Sequence, residues 1–165
     1  MSEPIRVAAK RVLALCRARG LKIATAESCT GGLVIGALTD IAGSSDVVER
    51  GFVTYSNEAK HEMLGVPLAT LKKFGAVSRQ TAEAMARGAL KRSDADLAVA
   101  ITGIAGPGGA TPGKPVGLVH FAAAHGRRVV HRAKKFGDIG RRKVRLQSVA
   151  EALAMLEALA VDAQV

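Results

Sequence analysis

The chain has 165 residues, 48% of them hydrophobic and 23% charged, which suits a single α/β domain over 1–165 and leaves little room for two cores. No apolar run reaches the roughly 18 residues that cross a bilayer, and Arg6, Lys10, Arg11 and Arg17 break up the start of the chain, so no membrane segment or secretory leader is expected and the protein reads as cytoplasmic. A formal charge of +10 favours phosphate-bearing partners, but aromatics make up only 3% of the chain, with one Tyr and no Trp, which argues against a base-stacking surface for nucleic acid.

Taken in order, Pro4 and Gly20 bracket a first amphipathic helix whose Ile5, Ala8, Val12, Leu15 and Cys16 share one face. Leu21 to Ala26 is a short apolar strand that stops at Glu27-Ser28-Cys29-Thr30 and turns through Gly31-Gly32 into the helical run LVIGALTDIAG. A helix start presents unpartnered N–H groups and the positive end of the macrodipole, so it stabilises anions and developing negative charge. Ser28, Cys29 and Thr30 are therefore candidate nucleophiles. The plainer alternative is that Ser28 or Thr30 only caps the helix.

Gly43-Ser44-Ser45 interrupts the pattern, and GFVTYS (51–56) returns to strand character. Asn57 then reads as the cap of a helix carrying Glu58-Ala59-Lys60, ended by Gly65 and Pro67. The middle of the chain reads as scaffold: a helical run from Leu68 to Phe74, then Ser78 capping RQTAEAMARGALKRS with core-facing Met85. Asp96 to Thr102 is a nearly continuous apolar run, the mark of a buried central strand. It empties into Gly103-Ile104-Ala105-Gly106-Pro107-Gly108-Gly109, whose N–H groups suit an oxyanion but which lacks the Lys-Ser/Thr ending of a P-loop.

Val116–Ala124 and Arg128–Phe136 form a predicted hairpin, and a long terminal helix begins RRKVRLQ. Positive residues at a helix start oppose the macrodipole, so Arg141 to Arg145 are misplaced there unless they meet an anion; a solvated basic face is the alternative. His61, His120, His125 and His131 are scattered, and Cys16 and Cys29 lack metal-site spacing, so no metal or cofactor is expected and both cysteines read as thiols.

The remaining constellation is a nucleophile without a histidine. Lys60 lies in the first turn of its helix, where the macrodipole and partial burial both favour the neutral amine that a general base requires. Ser with Lys is an established variant of the activated serine. A solvated helix lysine is the competing description.

Together, TAESCTGG, TDIAGSS, ERGFVTYSNEAK, LGV, GAVS, ITGIAGPGG, KPVG and the late GD followed by VRLQ resemble the C-terminal domain of the CinA (competence/damage-inducible) family, which includes nicotinamide mononucleotide amidohydrolases. The resemblance runs from Val7 to Leu159. It implies a three-layer α/β/α sandwich with a mixed sheet, and hydrolysis of the carboxamide of nicotinamide mononucleotide (NMN) to nicotinic acid mononucleotide and ammonia. It places the nucleophile at Ser28, the base at Lys60 and Tyr55 beside them. Thr102, Gly103 and Gly106 would line the nucleotide pocket, and Arg145 would correspond to the arginine at the head of the last helix. The segment from Asp138 to Val144 departs from the pattern and carries Arg141, Arg142 and Lys143, which leaves open which cation meets the phosphate.

On this reading Cys29, Thr30 and Gly31 belong to the oxyanion-binding helix start. Glu27 would face the pyridinium ring, and Gly43 and Ser45 or Arg145 would hold the 5′-phosphate. A homo-oligomer is expected, with a dimer favoured. Two rival functions follow: a nucleotide-binding module without turnover, and a competence- or DNA-damage-associated module.

Overall fold

The structure, a computed structural model, describes residues 1–163; the last two residues of the expected domain lie outside the described residues. Its elements alternate as α1 (Glu3–Ala18), β1 (Ile23–Glu27), α2 (Leu33–Thr39), β2 (Val48–Val53), α3 (Asn57–Leu64), α4 (Leu68–Phe74), α5 (Arg79–Lys91), β3 (Leu97–Gly103), β4 (Leu118–His125), β5 (Arg128–Lys135) and α6 (Arg141–Asp162). A single 3₁₀ turn covers Ser44–Asp46. The five strands form one mixed sheet in the order β2-β1-β3-β4-β5. β1 pairs in parallel with β2 and β3, whereas β4 runs antiparallel to both β3 and β5.

Helices cover both faces of the sheet. Period-two alternation sends Ile23, Leu97, Val99, Ile101, Val119 and Phe121 to one side, where they pack with Val12, Leu13, Leu38, Leu153 and Leu156 of α1, α2 and α6. The opposite face is lined by alanines: Ala24, Ala26, Ala98, Ala100, Ala122 and Ala124, against Ala82, Met85, Ala86 and Ala89 of α5. Short side chains there let α5 lie close to the sheet, so its own partners must be small as well. Gly88 meets the Leu64 carbonyl at the end of α3, where a Cβ would overlap it. Each large apolar residue buried in such a core contributes about 1.5–3 kcal/mol.

Several boundaries shift from the sequence reading, and two of the shifts lie beside the cleft. β2 begins at Val48 and ends at Val53, earlier than the 51–56 expected, because its register follows Ile23–Glu27 of β1. The cap of α3 is Ser56, whose Oγ accepts from the Ala59 N–H at 3.0 Å, so Asn57 is the first helical residue instead. The expected first helix, second glycine-bounded helix, Ser78 cap and terminal helix are all present; Ser78 Oγ accepts from the Thr81 N–H.

Candidate active site

Parallel strands place their carboxyl ends together, and the cleft lies at that end. Ser28 follows directly on β1, with its N–H donating to the Ile101 carbonyl of β3 at 2.9 Å, while the Thr54 N–H donates to the Glu27 carbonyl at 2.8 Å. Ser28 is therefore gripped between the ends of β2 and β3. Both Ser28 and Thr102 line a cleft of about 290 Å³, the low end of ligand-sized pockets (about 300–1,000 Å³).

Lys60 enters this cleft from α3. Its side chain is 1% exposed, so the solvated-lysine description is set aside. Its Nζ donates to Ser28 Oγ at 2.9 Å, to the Thr54 carbonyl at 2.9 Å and to the Tyr55 carbonyl at 3.1 Å. Burial pushes the amine down from 10.5 to about 8, against the opposing influence of Cys29 and Glu58. In its neutral form the amine keeps two N–H bonds to the carbonyls and turns its lone pair to the Ser28 hydroxyl. That exchange of roles is what a general base for Ser28 requires.

The turn after Ser28 is closed by Gly31 at φ +57° and Gly32 at φ +95°, conformations that side chains resist. The N–H groups of Thr30 and Gly32 meet no acceptor among the described residues. Cys29 is buried and lines the cleft, and its thiol is pushed up to about 12, chiefly by burial. Burial thus disfavours its thiolate. Thr30 is wholly buried, and its Oγ1, like that of Thr54, has no partner among the described residues.

The rest of the wall is glycine loop and helix α6. Thr102 Oγ1 donates to the Ala76 carbonyl at 2.8 Å, which pins the 75–77 segment over the cleft. Gly103 packs so closely on β4 that a Cβ would lie 2.6 Å from Val119 Cγ2. Gly106 and Arg141 complete the rim, joined by a 3.0 Å bond from Arg141 Nη1 to the Gly106 carbonyl. Arg141 Nη2 also donates to the Tyr55 hydroxyl at 3.0 Å. The Tyr55 side chain is thus an exposed rim group, and its carbonyl is the part that faces Lys60.

Three expectations are corrected. Glu27 is fully buried and does not face the cleft: its carboxylate accepts from the Val34 and Ile35 N–H groups at 2.8 and 2.9 Å and from Thr25 Oγ1 at 3.3 Å. It caps α2, because adjacent residues of a strand point to opposite faces. Gly43 and Ser45 lie at the far end of β1, beside Arg17, whose Nη2 donates to the Gly43 carbonyl at 2.7 Å, and near the Ile23–Val47 backbone bond. Arg145 turns away from the cleft, with Nε on the Cys29 carbonyl and Nη2 on the Thr30 carbonyl, both at 3.0 Å. Of the cations at the head of α6, Arg141 is the one that lines the cleft, one of the residues the sequence left undecided.

Among the described residues, no group of three or more His, Cys, Asp or Glu side chains is placed to hold a metal ion, and no helix is long and apolar enough to cross a membrane.

A family model for the CinA C-terminal domain matches residues 6–160. The chain belongs to that family. Among its relatives, the nicotinamide-nucleotide amidohydrolase PncC of Escherichia coli (strain K12) is 54% identical over 142 residues, 85% of each chain. A CinA-like protein of Akkermansia muciniphila is 58% identical over 115 residues, 70% of this chain but 28% of the relative. This CinA-domain chain thus spans about a quarter of the longer relatives. The crystal structure of the competence/damage inducible protein CihA from Agrobacterium tumefaciens superposes with a TM-score of 0.95 at 57% identity, covering 96% of this chain and 97% of that one. The arrangement described above is therefore that of a CinA C-terminal domain.

Proposed function

We propose that this CinA-domain protein is an amidase that hydrolyses the carboxamide of NMN to nicotinic acid mononucleotide and ammonia, in the recycling of pyridine nucleotides. The observation that carries the reading is the buried Lys60 Nζ, 2.9 Å from Ser28 Oγ, at the wall of the cleft. The likeness to relatives named nicotinamide-nucleotide amidohydrolase supplies the substrate.

In the proposed mechanism neutral Lys60 takes the Ser28 proton as Oγ attacks the carboxamide carbon. N–H groups of the Cys29–Gly32 turn stabilise the oxyanion, as preorganised donors do in acyl transfer. The C–N bond breaks, the nitrogen leaves as ammonia with the proton returned by Lys60, and Ser28 holds the acyl group as an ester. Water, deprotonated by Lys60, attacks that ester; the acid is released and Ser28 recovers its proton. Arg141 binds the 5′-phosphate through charge-assisted hydrogen bonds.

The test is incubation of the purified protein with NMN, following ammonia and nicotinic acid mononucleotide together. Equal release of both is expected; saturable NMN binding with neither product overturns the amidase reading in favour of a binding module. The same proposal includes a homo-oligomer, a dimer favoured, which light scattering of the pure protein checks.

A further inference from the structure

Arg145 reaches the nucleophile turn from behind. It does not line the cleft, whose wall includes Ser28 and Cys29. From α6 it donates through Nε to the Cys29 carbonyl and through Nη2 to the Thr30 carbonyl, both at 3.0 Å. The planar fork of a guanidinium can meet two successive carbonyls at once, which the single ammonium of a lysine does less well. The fit extends to Gly31, where a Cβ would lie 3.3 Å from Arg145 Nη2.

These two bonds fix more than the carbonyls. A trans peptide is planar, so its C=O and the N–H that follows point in opposite directions. Holding the Cys29 carbonyl toward Arg145 therefore turns the Thr30 N–H away from it, to the side on which Ser28 and Cys29 line the cleft. The other carbonyls of the turn are engaged too: the Gly31 N–H donates to Ser28 at 3.0 Å and the Leu33 N–H to Thr30 at 3.1 Å. The Thr30 N–H alone of these groups meets no acceptor among the described residues. A free donor locked in direction before any charge develops is what stabilises an oxyanion. The charge of Arg145 adds to the effect, because a carbonyl that accepts from a cation is polarised and its peptide N–H becomes the stronger donor.

We propose, on the amidase reading, that Arg145 is a positioning residue for acyl transfer and not a phosphate ligand. It touches no substrate atom; it holds the Cys29 and Thr30 peptide groups so that the Thr30 N–H meets the oxyanion formed when Ser28 attacks.

The wild type, Arg145→Met and Arg145→Lys are compared on NMN and on nicotinamide riboside. Arg145→Met should lower kcat by about 10²-fold, the lower end of what losing one oxyanion donor costs, with KM near the wild-type value and the same factor on both substrates. Arg145→Lys, which keeps the charge but not the fork, should retain part of the activity, and it carries the comparison if Arg145→Met does not fold. A second readout needs no turnover. Phenylboronic acid forms a tetrahedral adduct as its boron bonds to Ser28 Oγ and the hydroxyl proton passes to Lys60, and its affinity should fall in Arg145→Met by about the same factor as kcat. A rise in KM for NMN alone with kcat kept would put the phosphate on Arg145 and overturn the inference, as would wild-type kcat in both variants. If the wild type releases no ammonia from NMN, the amidase reading fails and the boronate decides the part of Arg145. No adduct on the wild type, or equal affinity with and without the arginine, then overturns it.

Discussion

At the scale of single residues, the proposed mechanism turns on a lysine that must be neutral to act as the base. Because burial lowers the Lys60 amine to about 8, kcat/KM for NMN should rise with pH along an acid limb near that value, since the free enzyme's essential base sets that limb. Lys60→Arg keeps the charge but cannot deprotonate, so it should lose as much activity as Lys60→Ala, and Ser28→Ala should lose on the order of 10⁴-fold or more. An active Lys60→Arg would make the residue a fixed charge and not a base. Glu27, though adjacent to Ser28, plays a different part. Its buried carboxylate holds the Val34 and Ile35 N–H groups, and a helix start deprived of such a partner loses about 1–3 kcal/mol. Glu27→Gln should therefore lower the melting temperature by roughly 3–10 °C at that cost while leaving KM for NMN close to wild type. A large rise in KM with unchanged melting would return Glu27 to the substrate.

At the scale of elements, α3 brings Lys60 to Ser28 only because it seats on α5, and the seat is Gly88 under the Leu64 carbonyl. Gly88→Ala removes the space for that carbonyl; overpacking of this kind costs about 1–3 kcal/mol, and the displaced α3 should carry Lys60 out of register and depress kcat more than KM. The hairpin makes a separate prediction. β4 and β5 bring His120 Nδ1 within 2.9 Å of His131 Nε2, with the rings stacked. Burial, then the charges of His131 and Lys114, lower His120 from 6.5 to about 4, and burial also lowers His131. The unfolded chain binds these protons more readily, so stability should fall as the pH drops from about 6.5 towards 4. Thermal melts across that window should show a smaller loss for His120→Gln than for the wild type. Neither contact was legible in the sequence, since residues 11 apart meet only through a hairpin register, and Gly88 shows its purpose only once α3 packs on it. What was legible was local: an apolar strand, two glycines and a helix start around Ser28, and a lysine one turn into the next helix. Glu27 could have been read correctly too, because strand alternation puts it on the face opposite Ser28. Gly43 and Ser45 could have been placed as well, since a helix that leaves the carboxyl end of β1 and returns to start a parallel β2 must end at the opposite end of the sheet.

At the scale of the whole molecule, the excess of ten positive charges is not one patch. Arg11, Arg17, Arg128, Arg132 and Lys134 are engaged with Glu157, Asp46, Asp162 and Glu151 on the surface, pairs of the kind that contribute little and are screened by salt. The cations at the head of α6 make no such pairs among the described residues, and Arg141 alone of them lines the catalytic cleft. That division predicts how the protein should distinguish a phosphorylated substrate from its parent. Nicotinamide riboside lacks the group Arg141 would hold, and charge-assisted hydrogen bonds contribute about 1.5–3 kcal/mol each, so kcat/KM should fall at least about tenfold relative to NMN. Arg141→Ala should erase most of that preference by raising KM for NMN and leaving nicotinamide riboside nearly unaffected. Arg127→Ala, an exposed residue in the turn between β4 and β5, should do neither. If Arg141→Ala instead slowed both substrates equally, the arginine would be acting through its bonds to Tyr55 and Gly106 on the shape of the rim. The phosphate would then have to be met from elsewhere on the molecule or by a second copy of the chain.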